Sequence, residues 1–406
     1  MTLPRLRPLE MFRLPEAEEA APDTSGGSIV LRDPEGFSER ELVLSEAALF
    51  LAAHFDGEHS LEQALDAFAA RFGDRPAPEA VRRLEATLDE AFFLETETFT
   101  RRRNALLTEF LASPTRLPAH AGVSYPAGTE EAREAVAAFF ERARSLEEPG
   151  PRPEGVLRGL VAPHIDLRVG GPCAALAYRC LAEASEAETV IVLGTGHACP
   201  QPVWAVLEKP FETPLGTVEP DGDACRMLAE AAGAPEEAAF YHAREHSIEF
   251  QAVFLAALNR LGRSFRMVPV LCGSIRDRDP AAGDPFLDAL TTLLAERGAR
   301  AIVVAGADLA HVGPRFGDPD PLDTHHLDLL EKKDRETLGH LEDADAAGFH
   351  ASVLRAGDPR RICGLSPIYA LLHALPGARG KVLRYEQARE PSGTVSYASA
   401  GFWTAS

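Results

Sequence analysis

The sequence predicts an α/β fold in which a mainly parallel sheet is flanked by helices and is preceded by a small helical domain. Two observations carry this prediction. From about residue 156 onward, short apolar runs alternate with helix patterns, and such alternation is typical of βαβ units with a parallel sheet. Before that point, three amphipathic helix patterns follow one another between residues 45 and 94, separated by turn residues.

The composition favours a globular protein and disfavours two classes of partner. The chain has 406 residues, of which 45% are apolar, and this is enough for two domains with their own cores. Its 62 acidic and 41 basic residues give a net charge of -21, which repels nucleic-acid phosphates and anionic membranes. No window approaches the roughly 20 apolar residues of a membrane span, and the first residues lack the apolar core of a signal peptide. We therefore expect a cytoplasmic protein without a nucleic-acid or membrane partner.

The cysteines are scattered along the chain without a Cys-x-x-Cys pair. This spacing fits reduced thiols better than a disulfide framework or a zinc ribbon, so a metal site that uses one of them must be assembled in three dimensions. The six positions are Cys173, Cys180, Cys199, Cys225, Cys272 and Cys363.

The first part of the chain predicts a small domain at residues 28–98. Residues 1–27 are rich in Pro, Glu, Ala and Gly without sustained periodicity, and we expect a flexible lead-in there. Ser60 and Gln63 form a capping box, in which the two side chains satisfy free amides at a helix start. Two short strands and three helices are predicted: Ser28–Arg32, Glu41–Val43, Ser45–Phe55, Ser60–Phe72 and Pro78–Leu94.

A connector is predicted at residues 99–116. It contains the basic run Arg101–Arg103, which we interpret as a solvated face, and an apolar helix pattern that Pro114 ends. The second domain then spans residues 117–406.

The second domain contains the predicted sheet. A helix from Thr129, its candidate N-cap, to Ser145 precedes the strands, and another helix runs from Glu245 to Leu261. Gly170, Gly171 and Pro172 are expected to open a helix with the proline in its first turn. The predicted strands are Val156–Ala162, Thr189–Leu193, Phe265–Leu271, Ala301–Ala305 and Val395–Trp403.

Residues that bind metals or transfer protons follow three of these strands. His164, His197 and the pair Asp308 and His311 each come just after a strand, at the edge where open α/β sheets bind ligands. Asp308 and His311 are three residues apart, so one helical turn would place them on the same face.

Two further candidates, His246 and Cys363, lie where helices begin. Imidazole and thiolate are good ligands for Fe, Cu and Zn, and a carboxylate-backed histidine is the usual proton-transfer unit. The alternative is that all these residues serve packing and capping around the sheet. Their convergence on one edge of the sheet favours a functional site.

The order of these motifs resembles the Memo family, the protein B component of the AmmeMemoRadiSam system. The resemblance covers about residues 115–406. It implies a fold shared with class III extradiol dioxygenases of the LigB type, which use a non-haem metal. The matching pieces are His120–Pro126, Ala162–Asp166, Val192–His197, Phe211–Leu215, Glu245–Gln251, Ala307–His311, Cys363–Ile368 and Val395–Ala398.

The resemblance also implies the roles of individual residues. His164, His197 and Cys363 match the metal ligands of the family, and Asp308 with His311 matches a pair beside that metal. Fe(II) is the metal we expect, with copper or zinc as alternatives.

The sequence departs from the family pattern at the candidate site. His164 is followed by Ile-Asp-Leu-Arg where the family commonly has Ala-Gly-Tyr, which puts Asp166 and Arg168 at the expected pocket mouth. Ala198 stands where the family has a second histidine, so only His197 can serve there. Cys363 replaces the carboxylate of true extradiol dioxygenases and makes the site softer, so ring cleavage does not follow from the fold.

Residues 28–98 resemble a PqqD-like, winged-helix peptide-binding domain through motifs such as Asp56–Ala64. No titratable cluster in this part indicates catalysis. We interpret His54 and His59 as a packed and a turn histidine, and we expect a recognition domain.

Two functions remain open. In the first, the protein is a metal-dependent oxidoreductase acting on a small molecule or peptide, in which His311 moves protons, Asp308 orients it and His246 is a second base. The resemblance to the Memo family then implies AMMECR1-like and radical-SAM proteins as partners. In the second, the dioxygenase-like fold is a non-catalytic adaptor that binds a peptide or protein.

Overall fold

The structure is a computed structural model that describes residues 2–13, 28–146, 150–199, 204–277 and 283–405. The chain divides into two compact units, Met1–Ala112 and Ser113–Ser406. The boundary falls within the predicted connector, but most of that connector is a helix of the first unit, and Arg116 at its end is fully buried in the second.

The described residues of the first unit form a small antiparallel sheet and four helices. The sheet has the order β1-β2-β3. Its core includes Leu31, Leu65, Val81 and Leu88, all fully buried. The elements are β1 Glu10–Arg13, β2 Ile29–Arg32, β3 Leu42–Leu44, α1 Glu46–Ala52, α2 Leu61–Phe72, α3 Pro78–Glu90 and α4 Glu97–Ala112.

The predicted flexible lead-in is wrong for residues 2–13, which are ordered parts of the first unit. Glu10–Arg13 forms strand β1 and pairs with β2, while Leu3 and Arg7 are buried. Arg7 donates to Asp33 and Glu35, pairings that a local sequence pattern does not reveal. Residues 14–27 of the predicted lead-in lie outside the described residues.

The capping box predicted at Ser60 is present. The Ser60 hydroxyl accepts the Gln63 backbone N–H at 3.4 Å, and the Gln63 side chain accepts the Ser60 N–H at 2.8 Å. These two bonds satisfy amides that the first turn of α2 would leave free.

The second unit is a mixed α/β structure built on one large sheet. Its strands are β4 Val156–Ala162, β5 Thr189–Thr195, β6 Trp204–Val206, β7 Phe211–Thr213, β8 Gly216–Val218, β9 Arg266–Cys272, β10 Ala301–Gly306, β11 His311–Val312, β12 Arg379–Glu390 and β13 Gly393–Thr404. Its α-helices are α5 Thr129–Ser145, α6 Leu167–Ala184, α7 Gly222–Ala232, α8 His246–Arg260, α9 Pro285–Arg297, α10 Thr324–Glu342, α11 Ala346–Leu354 and α12 Leu365–Ala374. Short 3-10 helices occur at Glu236–His242, Gly298–Arg300, Pro314–Phe316 and Arg355–Gly357.

The centre of the large sheet is parallel, as predicted. Strands β4, β10, β5 and β9 are parallel neighbours in that order, β6 and β13 pair antiparallel at the two sides of this group, and β11 and β12 pair with β13. Since parallel strands end at the same edge, the loops after β4, β5 and β10 meet there.

Helices cover both faces of the parallel strands. Ile191 and Leu193 of β5 share one core cluster with residues of α9 and α12. On the other face, Gly194 lies so close to α8 that an added Cβ would be 2.5 Å from the Ile248 side chain. Successive side chains of a strand point to opposite faces, and both faces of β5 are therefore buried.

Three local predictions need correction. Helix α6 begins at Leu167, because the Asp166 side chain caps it by accepting the Arg168 N–H at 2.9 Å, and Pro172 lies inside the helix. The N-cap of α5 is Gly128, so Thr129 is the first helical residue. Asp308 and His311 do not share a helical turn, since Asp308 lies in a loop and His311 begins β11.

Within the part of the chain described here, none of the helices combines the length and apolar character needed to cross a membrane.

Candidate metal centre

Three side chains that can bind a metal meet at the edge of the sheet where the parallel strands end. His164 follows β4, His197 follows β5, and Cys363 lies two residues before α12. Their ligand atoms all lie within 4.8 Å of one another, and His164 Nε2 is 3.4 Å from Cys363 Sγ. The structure thus brings together the three residues that the sequence analysis named as metal ligands.

The His164 ring is fixed by the neighbouring strand. Its Nδ1 lies 2.8 Å from the Gly306 carbonyl oxygen at the end of β10, and therefore donates a proton to it. In the neutral ring, Nε2 is then the unprotonated nitrogen, and this atom faces Cys363. His164 is 2% exposed, whereas the His197 side chain is 38% exposed, so the cluster is open to solvent on the His197 side.

The His197 ring is fixed by Glu245, a residue that the sequence analysis did not single out. Both carboxylate oxygens of Glu245 lie 3.1 Å from His197 Nδ1, which leaves Nε2 for a ligand. The same carboxylate accepts the backbone N–H of His197 at 3.0 Å.

Glu245 is also the N-cap of α8. It accepts the backbone N–H groups of His246 at 2.8 Å and Ser247 at 3.0 Å. His197, Glu245 and His246 form a second grouping with metal-ligand distances. Because the Glu245 oxygens already accept several N–H groups, we interpret Glu245 as the residue that orients His197 rather than as a ligand.

Close backbone packing allows Cys363 to reach the histidines. The Gly364 N–H donates to the Asp308 carbonyl oxygen at 3.1 Å, and a Cβ added to Gly364 would lie 2.4 Å from that oxygen. A side chain at this position would push the Cys363 segment away from the Asp308 loop, so the position requires glycine.

Charged neighbours and burial shift the pKa values of the cluster residues in opposite directions. Burial alone would lower the pKa of His164, but the charges of Asp308 and Cys363 raise it to about 9. Burial alone would raise the pKa of the Cys363 thiol, but attraction to His164 brings it well below its ordinary value. At His197, burial alone would lower the pKa, but the negative charge of Glu245 raises it well above its ordinary value. Protons would therefore compete with any metal cation for these atoms.

His246 lies against both candidate histidine ligands. Its ring stacks on that of His197, with ring centroids 4.9 Å apart and planes 13° apart, and its centroid is 5.2 Å from that of His164. Burial, only partly offset by Glu245, brings the pKa of His246 well below its ordinary value. His246 is therefore a neutral imidazole beside the cluster.

Asp308 lies beside His164 rather than in a hydrogen bond to His311. Its carboxylate accepts the His164 backbone N–H at 2.9 Å and lies 3.7 Å from His164 Nε2. Burial raises the pKa of Asp308, despite the opposing charge of His164. The His311 Nδ1 lies 3.2 Å from the Leu309 carbonyl oxygen. This geometry differs from the expected pair in which Asp308 orients His311.

A buried ion pair connects the first residues of this unit with the site, and the sequence analysis missed it. Arg116 and Glu249 are both fully buried and form an ion pair. Glu249 also accepts the His120 backbone N–H at 2.8 Å and the Tyr125 hydroxyl. The His120 ring is thereby held 5.5 Å, centroid to centroid, from that of His246.

A cavity of about 470 Å³ lies beside the segment that contains Tyr125. Arg168 is the one charged residue among the described residues of its lining, and its guanidinium donates to Asp166 at 2.8 and 2.7 Å. Its volume lies in the range of small-molecule pockets, and it is wide open to solvent rather than enclosed. The lining consists of Gly122, Val123, Ser124, Tyr125, Pro126, Ala135, Phe139 and Arg168.

Relatives of this chain cover both units. A MEMO1 family protein of Methanopyrus kandleri is 33% identical over 292 residues, which cover 69% of this chain and 95% of the relative. A MEMO1 family protein of Thermus thermophilus is 31% identical over 351 residues, which cover 84% of this chain and 98% of the relative. One of Aquifex aeolicus is 27% identical over 389 residues, with 93% and 96% covered. The last two alignments are longer than the second unit and therefore extend into the first.

The family model described as Memo-like protein matches residues 116–401, which is most of the chain and nearly all of the second unit. The match includes every candidate ligand and begins at the buried Arg116. The chain therefore belongs to the Memo-like protein family.

Proposed function

We propose that the second unit binds a transition-metal ion between His164, His197 and Cys363 and works as a metal-dependent oxidoreductase. Fe(II) is the proposed metal, with copper or zinc as alternatives. The observation that carries the proposal is the convergence of two imidazoles and one thiol within 4.8 Å at the edge of the sheet. Imidazole and thiolate together favour iron, copper or zinc over magnesium or calcium.

The residues present fit such an ion. Gly306 and Glu245 accept hydrogen bonds from the Nδ1 atoms of His164 and His197. The Nε2 atoms of the two histidines are therefore left as ligand atoms. The low pKa of Cys363 supplies a thiolate ligand. Bound iron or copper held by three protein ligands would supply a redox-active Lewis acid with open positions, whereas zinc would supply a Lewis acid without redox chemistry.

The remaining residues of the site would serve the substrate. Neutral His246 is placed to donate or accept a hydrogen bond at the edge of the cluster. His311 is the proposed proton carrier, and Asp308 steadies the loop that carries His164. The cavity beside Tyr125 and Arg168 is the proposed entry for a small molecule or a peptide end.

Metal analysis tests the ligand set. Protein reconstituted anaerobically with Fe(II) and desalted should hold about one metal ion per chain in the wild type and far less in Cys363→Ala. Cys225→Ala is the matched control, because it removes a buried thiol of α7 and should keep the metal. Should the wild type retain no more iron than Cys363→Ala, the proposed ligand set is wrong.

Oxygen consumption tests the reaction class. Iron-loaded wild type, mixed with a small-molecule extract of the source cells, should consume O₂ with depletion of a specific compound, and Cys363→Ala should not. If the protein binds the metal but shows no such turnover, the metal site stands and the proposed oxidoreductase activity is contradicted.

A second function, peptide or protein binding, is favoured by the sheet of the first unit. Among its described residues, β1 and β3 are the edge strands of this sheet and carry exposed apolar side chains, with Met11 on β1 62% exposed and Val43 on β3 59% exposed. An extended peptide can add to such an edge through backbone hydrogen bonds. Loss of peptide binding in a Val43→Lys variant, with the metal content unchanged, would assign this role to the first unit.

The finer family assignments complete the proposal. We propose that the second unit is LigB-like, that the first is PqqD-like, and that the protein acts in the cytoplasm as protein B of an AmmeMemoRadiSam system. Its proposed partners are AMMECR1-like and radical-SAM proteins, and none is a nucleic acid or a membrane. Co-purification with tagged partners from the source organism tests this context.

A further inference from the structure

We infer that Arg276, through Asp358, is a positioning residue that holds Cys363 at the metal centre. This inference rests on the proposed function only in that Cys363 is taken as a ligand. Arg276 lies in the loop after β9, far from Cys363 in sequence. Its role follows from the conformation of the segment 355–364 that presents the thiol.

The segment before Cys363 adopts a backbone conformation that its sequence disfavours. Ala356, Asp358 and Arg361 have φ angles of 58°, 54° and 51°, in the left-handed region that residues with a Cβ seldom occupy. None of these three is glycine. The segment therefore requires contacts from outside to keep this conformation.

Arg276 supplies such contacts at two points of the segment. Its guanidinium forms an ion pair with Asp358 and donates to the Ile362 carbonyl oxygen at 2.9 Å. The Asp358 carboxylate in turn accepts the Ile362 N–H at 3.0 Å. Arg276 and Asp358 therefore hold both backbone polar groups of Ile362, the residue directly before Cys363.

The segment has other contacts on both sides of Ile362. After it, the Thr195 hydroxyl donates to the Cys363 carbonyl oxygen at 3.3 Å, and the Gly364 N–H donates to the Asp308 carbonyl oxygen. Arg360 donates to Asp334 at 2.7 Å, and Arg361 forms an ion pair with Asp318. These bonds hold the side chains of residues two and three positions before Cys363. Among the described residues, the bonds to the Ile362 backbone come from Arg276 and Asp358, so their loss should release the residue directly before Cys363 and let the thiol move.

The chemistry of the guanidinium suits this task. Its planar fork can bind a carboxylate and a carbonyl oxygen at fixed angles, whereas a lysine ammonium is a flexible point charge. Asp358 is only 4% exposed, and a buried carboxylate without a cation is strongly disfavoured. The ion pair thus keeps Asp358 in place, and Asp358 keeps Ile362 in place.

The test compares Arg276→Met and Arg276→Lys with wild type in the full chain, using Co²⁺ as the probe. Co²⁺ bound by a thiolate gives a ligand-to-metal charge-transfer band, which reports on Cys363 directly. We expect Arg276→Met to weaken Co²⁺ binding about tenfold or more and to reduce that band, with Arg276→Lys intermediate. Arg379→Met, which removes an exposed ion pair with Asp343, is the control and should match wild type.

A metal-free measurement keeps this inference separate from the proposed function. In apoprotein, amide hydrogen exchange at Ile362 and Gly364 should become at least about tenfold faster in Arg276→Met, while β4 and β5 stay protected. The role of Arg276 is overturned if exchange at these two amides is unchanged in Arg276→Met. It is also overturned if both Arg276→Lys and Arg276→Met fold and show the wild-type charge-transfer band. If wild type binds no Co²⁺, the ligand set fails, and the exchange rates alone decide the role of Arg276.

Discussion

Two buried histidines of the second unit show how neighbours decide the charge of an imidazole. His164 and His242 are 2% and 1% exposed. At His164, nearby negative charges overcome burial and raise the pKa to about 9. At His242, burial dominates and lowers the pKa to about 4, and the positive charge of Arg116 adds to the effect. Without a bound metal, the same residue type is therefore positively charged at His164 and neutral at His242 near pH 7.

The low pKa of His242 predicts a loss of stability in mild acid. Its pKa is about 4 in the folded chain and about 6.5 in an unfolded one. Between these values only the unfolded state binds the proton, so the free energy of unfolding falls as the pH drops from about 6.5 to 4. The loss amounts to about 2 kcal/mol at pH 5.

Urea unfolding at pH 7 and pH 5 measures this loss in wild type and in His242→Gln. The tryptophans, Trp204 and Trp403, both lie in the second unit, and their fluorescence therefore reports on the unit that contains His242. The variant should lose about 2 kcal/mol less than wild type between the two pH values. The exposed His325→Gln should behave like wild type, and an equal loss in His242→Gln would contradict the assigned cause.

At the residue scale, the sequence predicted which side chains come together, His164, His197 and Cys363, better than it predicted the residues around them. His164 and His197 could be found because each follows an apolar strand, and parallel strands end at one edge. Glu245 and Glu249 look like ordinary acidic residues near a helix start. Their partners, His197 and Arg116, are 48 and 133 positions away, and no local pattern encodes such contacts.

At the scale of elements, burial on both faces made the central strands easy to predict. The observed bounds of β4 equal the predicted ones, and β5 and β10 extend the predictions by one or two residues. The long strand β12 was missed, because its sequence RGKVLRYEQARE mixes charged residues into a partly exposed strand without clean alternation. The helical turn expected at Asp308 was wrong because pairing of β11 with β13 overrides local spacing.

The start of α8 should depend strongly on the ion pair between Arg116 and Glu249. Replacing Glu249 by Gln leaves the Arg116 charge buried without a carboxylate, which costs about 3–5 kcal/mol. Urea unfolding followed by tryptophan fluorescence measures this cost. Glu141→Gln, which removes an exposed pair with Arg144, should change stability by less than about 1 kcal/mol.

A double variant, Arg116→Met with Glu249→Leu, separates charge burial from general damage. Removing both charges should restore part of the stability that Glu249→Gln loses, because no unpaired charge remains. If Glu249→Gln destabilises no more than Glu141→Gln, this ion pair does not support the start of α8.

At the scale of the whole molecule, each unit contains its own buried core. One hydrophobic cluster of the first unit runs from Leu3 to Leu94, and a larger one in the second unit runs from Val161 to Phe402. The candidate ligands and the residues that hold them, including Glu245 and Arg276, all belong to the second unit. Among the described residues, the proposed metal site therefore takes its side chains from the second unit.

A fragment comprising residues 113–406 should fold and bind metal as the full chain does. Its first residues are fixed within the second unit, since the Thr115 hydroxyl donates to Glu212 at 2.6 Å and the Arg116 N–H donates to the Pro210 carbonyl oxygen at 2.8 Å. A fragment that starts at Leu117, the boundary predicted from sequence, lacks Arg116 and should lose about 3–5 kcal/mol. Tryptophan-monitored urea unfolding and metal analysis compare the two fragments with the full chain. Precipitation of the longer fragment, or loss of its metal, would mean that the two units fold as one and that the second does not form the site alone.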